Sequence, residues 1–334
     1  MSQINIPSRE PGQIPLDDVV VPFEVAALDV RGRAVRLGPM VDEILSRHAY
    51  PTAVSRLLGE AIVLTVLLGS SLKFEGRFIL QTQTDGPVRM LVVDWRSPGQ
   101  VRAYAQFDAA AVAALTAPTD GDLLGHGHLA MTIDQGADMN RYQGLVALDG
   151  GTLEEAAHEY FLRSEQIPTR VRLAVAEEYS AAAGGAQRKW RAGGLMLQFL
   201  PKSSDRMRVA DLDPGDAPEG TAPHLVPQDD AWVEGQALVE TIEDVELLDP
   251  ALSTERLLFR LFHEHGVRVF RSAEVEAKCS CSRERVEGIL KSFPAEERAE
   301  MVEDGRIAVT CEFCNTRYLF DPETVVGPED GAEG

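Results

Sequence analysis

Apolar positions follow two rhythms along the first two hundred residues. Residues 78–84, 88–95 and 101–107 are short apolar-rich runs, separated by the turn-formers Asp85-Gly86-Pro87 and Ser97-Pro98-Gly99. This punctuation predicts a three-stranded antiparallel meander, because Gly and Pro supply the backbone angles that reverse a chain. Residues 19–28 and 34–37 flank Asp29-Val30-Arg31-Gly32 and predict a hairpin. Further strands are expected at 129–134, 142–148, 170–178 and 195–200. Helical spacing governs 40–48 and 52–68, with Pro39 and Pro51 placed where helices start. Thr152 with Glu155 three residues on is a capping-box signature for a helix running to Ser164. Together these elements predict an α+β fold with a mixed, mostly antiparallel sheet, rather than a doubly wound one.

The pattern breaks near residue 201. No Lys or Arg occurs between Arg208 and Arg256, while Asp and Glu are frequent and Pro and Gly cluster at 213–227. Such a stretch is expected to be loosely structured, because it has little apolar surface to bury. Residues 232–248 regain helical spacing through Trp232, Val233, Leu238, Val239, Ile242 and Val245, followed by Leu247 and Leu248. The polar face is acidic throughout, so no i,i+4 ion pairs support it. A marginal helix that needs a packing partner is expected, and an ordinary linker helix is the plainest reading.

Beyond residue 253 the chain is compact again. Helices are expected at 254–263, at 283–291 with Ser282 as N-cap, and after Pro294; strands are expected at 267–270, at 305–310 and at 315–320. This last section carries the only four cysteines, as Cys279-Ser280-Cys281 and, 29 residues on, Cys311-Glu312-Phe313-Cys314. Four thiolates are a full tetrahedral zinc set. Cys311 and Cys314 fall between two expected strands, a knuckle position where a tight turn brings both sulfurs to one side. A thioredoxin-type pair opens a helix instead, where the dipole lowers the thiol pKa. Asn315-Thr316-Arg317 is no helix start, which weakens a thiol-disulfide oxidoreductase reading.

Cys279 and Cys281 are spaced more tightly than the usual zinc pair. They can reach one metal if the chain turns, or close on each other in a small, strained ring of the labile kind. A purely structural zinc site and a redox-labile one therefore both stand. Structural zinc contributes roughly 10–16 kcal/mol to the folding of a small domain. It also keeps thiols deprotonated, which is the oxidisable form. An oxidant that converted them to disulfides would release the metal and most of that stability.

His263 and His265, and His126 and His128, are competing ligands, left out because four thiols already fill a tetrahedral site. Gly125-His126-Gly127-His128-Leu129-Ala130 fits a loose G-x-G-x-x-A pattern, but a strand is expected after it rather than a helix, so no dinucleotide site is predicted. No nucleophile with an evident base stands out, and no enzyme is predicted.

Charge narrows the partners. The net charge of −21 argues against nucleic acid, whose phosphates are bound by Lys and Arg, and residues 251–334 hold 11 basic against 17 acidic side chains. The longest uncharged apolar run, 61–72, is shorter than the roughly 20 residues a bilayer crossing takes, so no membrane partner is expected. With no apolar leader in the first fifteen residues, the cytosol is the expected compartment, where clustered thiols stay reduced.

Cys279-Ser280-Cys281-Ser282-Arg283-Glu284-Arg285, followed by Cys311 and Cys314 and then Tyr318-Leu319-Phe320, resembles the heat shock protein 33 family of redox-regulated bacterial holdase chaperones. Residues 160–170 and 192–198 are similar to family segments of the first domain, so the resemblance runs from about residue 17 to 320. It implies that Cys279, Cys281, Cys311 and Cys314 bind one zinc per chain when reduced. It further implies that oxidation releases zinc and pairs Cys279 with Cys281 and Cys311 with Cys314. A metastable linker then unfolds, the chain forms a homodimer, and apolar surface binds unfolded clients without ATP. The division so implied is an α+β core domain at 1–200, a metastable acidic linker at 201–252, a zinc-binding redox-switch domain at 253–322 and a disordered tail at 323–334. Residues 211–230 are longer and richer in Pro and acid than is typical of the family. A constitutive zinc-ribbon interaction module without redox role is the alternative.

Overall fold

A computed structural model describes residues 17–72, 75–136, 141–182, 185–202 and 228–325. The chain divides into two compact units, Met1–Ala277 and Lys278–Gly334. The boundary therefore lies later than the residue 252/253 division that the sequence suggests.

The first unit opens with β1 (Val19–Val25) and β2 (Val30–Leu37). Their turn is a 3-10 segment at Ala26–Leu28 closed by Asp29 in the left-handed region, so Val30, Arg31 and Gly32 belong to β2 and not to the turn. Asp is one of the few non-Gly residues that tolerates that conformation. Next come α1 (Pro39–Ser46), with Pro39 in its first turn, and α2 (Thr52–Gly69). The expected meander is present as β3 (Arg77–Thr84), β4 (Val88–Arg96) and β5 (Gln100–Phe107). Two short helices, α3 (Ala109–Ala114) and α4 (Asp120–Leu124), were not legible as helical periods because neither completes two turns. β6 (His126–Asp134) and β7 (Tyr142–Asp149) follow. The start of β6 at His126 confirms a strand where a dinucleotide site would need a helix.

The Thr152–Glu155 capping box is in place at the start of α5 (Leu153–Tyr160), whose end passes into a π turn at Phe161–Glu165. β8 (Thr169–Ala182) and β9 (Gly185–Phe199) are far longer than expected. Continuous antiparallel pairing with each other carries both strands through polar stretches with no apolar alternation.

Beyond the undescribed 203–227 stretch, which includes most of the Pro-rich acidic segment, the expected single helix is two. α6 (Asp230–Glu240) and α7 (Asp244–Leu248) are separated because the Thr241 hydroxyl donates to the Leu238 carbonyl, and Glu243 and Glu246 then cap a new start. α8 (Thr254–Phe262), capped by Ser253, follows. Three two-residue strands close the unit: β10 (Arg268–Val269) and β11 (Ala273–Glu274) pair with β1, and β12 (Glu276–Ala277) runs parallel to β5.

These strands form two sheets, one with the order β10-β1-β2-β9-β8 and β11 also on β1, the other β12-β5-β4-β3-β6-β7. The main core gathers α2, the second sheet and one face of the first, with Leu57, Leu58, Ile62, Leu64 and Leu67 fully buried. By length and composition α2 is apolar enough to cross a membrane, yet most of it is buried in this core. Gly59 and Gly69 permit its close approach: a Cβ at either would sit 2.7 Å from Val175 or 2.6 Å from the Trp95 ring.

The other face of the first sheet has its own cluster. Val21, Phe23, Val30, Leu195, Leu197 and Phe199 pack against Trp232, Val239, Ile242, Leu247, Leu258 and Phe262 of α6 to α8, here called the strap. This face is the packing partner that the acidic helix needs. Within the strap Arg260 pairs with Glu246 at 2.7 Å, and further cations come from the strands beneath: Arg170 meets Glu240 at 3.1 Å and Arg172 meets Asp244 at 2.9 Å. Arg191 Nε donates to the Leu248 carbonyl at 2.8 Å, and Arg36 donates to that of Asp249. The C-terminal carbonyls of α7 thus meet two guanidiniums, the charge that a helix C-terminus favours.

The second unit is small. α9 (Arg283–Lys291), capped by the Ser282 hydroxyl, and α10 (Ala295–Glu300) after Pro294 lie where expected. β13 (Val302–Glu303), β14 (Arg306–Thr310) and β15 (Arg317–Phe320) form one antiparallel sheet. Its buried cluster is Leu290, Ile307, Phe320 and Val325.

Candidate metal centre

The β14–β15 hairpin builds half of the site. Cys311 N–H donates to the Thr316 carbonyl at 3.0 Å, and Asn315 N–H donates back to the Cys311 carbonyl at 2.8 Å. Asn315 takes φ 56°, the left-handed angle that lets the chain reverse within four residues. Cys311 and Cys314 therefore leave the hairpin on one side, as the knuckle reading predicts. Cys279 and Cys281 supply the other half from the segment that enters α9. Arg285 Nη1 holds the turn between them by donating to the Ser280 carbonyl at 2.7 Å.

All four sulfurs lie within 4.8 Å of one another, and all four residues are half-buried, free thiols. Cys279 and Cys311 Sγ are 3.7 Å apart, and Cys281 and Cys314 Sγ 3.2 Å. Ligands about 2.3 Å from a tetrahedral zinc stand about 3.8 Å from each other, so the donor set and its spread fit that ion. The short contacts cross between the two cysteine pairs, which makes one four-thiol cluster rather than two separate dithiols.

The thiols are electrostatically unequal. Burial, with hydrogen bonds from the neighbouring thiols, pushes Cys281 up to about 12 although the Tyr318 hydroxyl, 3.3 Å away, opposes it. Burial also raises Cys311, against the pull of the Cys314 and Phe313 N–H groups. At Cys314 burial acts in the same direction, but the hydroxyl and N–H of Thr316 and the thiols of Cys281 and Cys311 outweigh it and bring the group down to about 6. The surroundings of Cys314 thus favour its thiolate, the form that is both metal ligand and nucleophile. Thr316 was not singled out from the sequence, and Tyr318 only within the Tyr318-Leu319-Phe320 motif; their positions two and four residues past Cys314 were the available signal.

The histidines set aside lie elsewhere. His265 Nε2 pairs with Glu234 at 3.0 Å and His263 Nδ1 lies 3.3 Å from the Arg260 carbonyl, both within the first unit, while His126 and His128 are exposed on β6.

Fold and site together define a thiol-cluster protein: an α+β body, and a small unit with four cysteines close enough together to hold a metal ion. The profile of the family described as Hsp33 protein matches residues 18–321. The "33 kDa chaperonin" of Caulobacter vibrioides is 48% identical over 312 residues, covering 92% of this chain and 96% of its own. That of Pseudomonas fluorescens SBW25 is 38% identical over 299 residues, covering 89% and 88%. The crystal structure of the Thermotoga maritima 33 kDa chaperonin shares the fold, with a TM-score of 0.68 at 23% identity over 92% of this chain and 96% of that one. The chain belongs to the Hsp33 family. Membership supports a chaperone function, and the relatives' name describes a non-enzymatic role.

Proposed function

We propose that the chain is a redox-regulated holdase of the cytosol. The observation that carries this reading is the convergence of four thiols within 4.8 Å in a unit with a very small apolar core, in a chaperone family. Cys279, Cys281, Cys311 and Cys314 hold one zinc when reduced. Bound there, the ion supplies four strong bonds to a fold that has few others, and keeps the sulfurs ionised.

On oxidation, each thiolate pair, Cys279 with Cys281 and Cys311 with Cys314, gives up two electrons and gains one S–S bond, and the solvent supplies two protons. Each peroxide that takes them becomes two waters. Sulfurs committed to disulfides no longer offer four thiolate ligands, so the metal leaves and the unit unfolds. The strap, the described part of the linker assigned to 201–252 and its continuation through α8, then comes away from the first sheet. Trp232, Val239 and Ile242 and the face beneath them bind unfolding client chains without ATP, and the active form is a homodimer.

Peroxide at raised temperature tests this. Zinc release, loss of far-UV helicity and suppression of client aggregation are expected together, with mass-spectrometric disulfides inside each pair. Zinc loss with no gain in aggregation suppression would sink the reading in favour of a constitutive zinc-ribbon module.

A further inference from the structure

The strap face of the first sheet is not uniformly apolar. The register places Arg172 beside Leu195 and Arg170 beside Leu197, so both arginines line the β8 border of the face that Val21, Ala34, Leu195 and Leu197 make apolar. Arg36 and Arg191 lie on the same face, 5% and 8% exposed. Buried guanidiniums cannot shed their charge, and each donor left without a partner is costly. Among the described residues, Arg36 Nε and Nη1 and the Nε of Arg170 and Arg172 have no hydrogen-bond partner even with the strap in place.

The strap supplies most of the remaining acceptors: Glu240 to Arg170, Asp244 to Arg172, and the Leu248 and Asp249 carbonyls to Arg191 and Arg36. Asp17, Glu154 and Glu178 stay behind with the sheet. Asp17 holds Arg191 at 2.8 Å, Glu178 lies 3.7 Å from it, and Glu154 lies 3.7 Å from Arg172. Removing the strap therefore takes from Arg170 its one ion pair among the described residues, and from Arg172 the nearer of two. The exposed face combines an apolar floor with a cationic border, on a chain whose net charge is −21.

We infer that this face selects client segments that resemble the strap: apolar stretches carrying Asp or Glu, whose carboxylates replace Glu240 and Asp244 on Arg170 and Arg172. The inference rests on the strap-release reading above. An apolar segment carrying lysines meets the same floor but brings like charge to the border and leaves the arginines unpaired. Discrimination comes from that unpaired state as much as from the new ion pairs.

The test uses the oxidised full chain and three fluorescein-labelled peptides with identical apolar residues, carrying Glu, Gln or Lys at the positions between. Affinity is expected to fall in the order Glu, Gln, Lys, by roughly two- to tenfold per step for one or two partly exposed ion pairs. Salt at about 0.5 M should compress the order, since exposed charges are then screened within a few ångströms. Arg170→Gln with Arg172→Gln should compress it at low salt too. Both side chains are partly exposed at the sheet border, so the pair is expected to fold, and intact zinc binding before oxidation checks this. Equal binding of the Glu and Lys peptides, or an order that survives the double substitution, overturns the inference. Failure of all three peptides to bind overturns it as well, and aggregation assays then separate the cases. If clients are still held, only the face was wrongly assigned; if they are not, the release reading has failed.

Discussion

The two units are held together by different means. In the first, more than a full turn of α2 is sealed between two sheets, and its stability comes from apolar surface removed from water. In the second, Leu290, Ile307, Phe320 and Val325 are the buried apolar residues, and Arg283 stacks over Phe320 at 4.4 Å. Four large side chains contribute on the order of 10 kcal/mol when fully buried, which the chain entropy of some fifty residues exceeds several times over. The four thiols occupy the place of a core. On the proposed reading, the lesson is that one chain can join a unit held by its apolar core to another held by its four thiols.

The largest expected effect breaks the second unit alone. Chelation at neutral pH, or Cys314→Ser, should remove roughly 10–16 kcal/mol of apparent stability from residues 278–325. Hydrogen exchange should show rapid exchange in β14 and β15 while α2 keeps its protection; protected β14 amides after metal removal would mean that the small core suffices.

A second change sharpens the comparison from inside the first unit. A Cβ on Gly193 would sit 2.4 Å from the Leu247 carbonyl of the strap. Gly193→Ala should therefore loosen α7 by about 1–3 kcal/mol without touching α2 or the cysteines. Expected is holdase activity at milder oxidation with normal zinc content, read by aggregation assay and Trp232 fluorescence. An unchanged threshold would show that strap docking does not set it.

The smallest effect concerns pH. Glu60 on α2 is pushed up to about 10 by burial and by Asp120, to which it is hydrogen-bonded, and Arg56 lies 3.6 Å from Asp120. The folded chain keeps this proton, whereas the unfolded chain releases it near 4.5, so this group lowers stability as pH rises from about 4.5 to about 10. Glu60→Gln retains a donor toward Asp120 and should raise the stability of the first unit by about 1–3 kcal/mol at pH 8 and flatten the slope. Denaturant unfolding between pH 5 and 9 measures this; an equally steep decline in the variant would place the slope elsewhere.

Much of this architecture was legible in the chain. The meander, α2, the capping box at Thr152, the Ser282 cap and the knuckle at Cys311 all follow from local chemistry, and the structure has each of them. Three features were not, for one physical reason: they depend on residues distant in sequence. β8 and β9 extend through polar runs because each pairs with the other. Residues 253–277 read as part of the C-terminal section, yet their strands find partners in β1 and β5. The strap looked unsupported because its cations, Arg170 and Arg172, lie some seventy residues upstream. At the site, the thiol set was evident from spacing, while the inequality between Cys281 and Cys314 depends on burial of the one and on Thr316 beside the other, and appears only once the hairpin is folded.

The three two-residue ladders that end the first unit give it a direction of failure. β12, β11 and β10 come in reverse order from Ala277, each a short pairing on a strand edge rather than in a sheet interior. Unfolding that started at Lys278 and moved back along the chain would meet them one at a time. The next segment met is α8, and behind it α7 and α6. The sheet interior, with its eight-residue pairing of β2 to β9, lies across that path and is never the next bond to break. The order in which the molecule comes apart is thus written in its connectivity, so an event at the C-terminal end can expose one face of the first sheet and leave the rest folded.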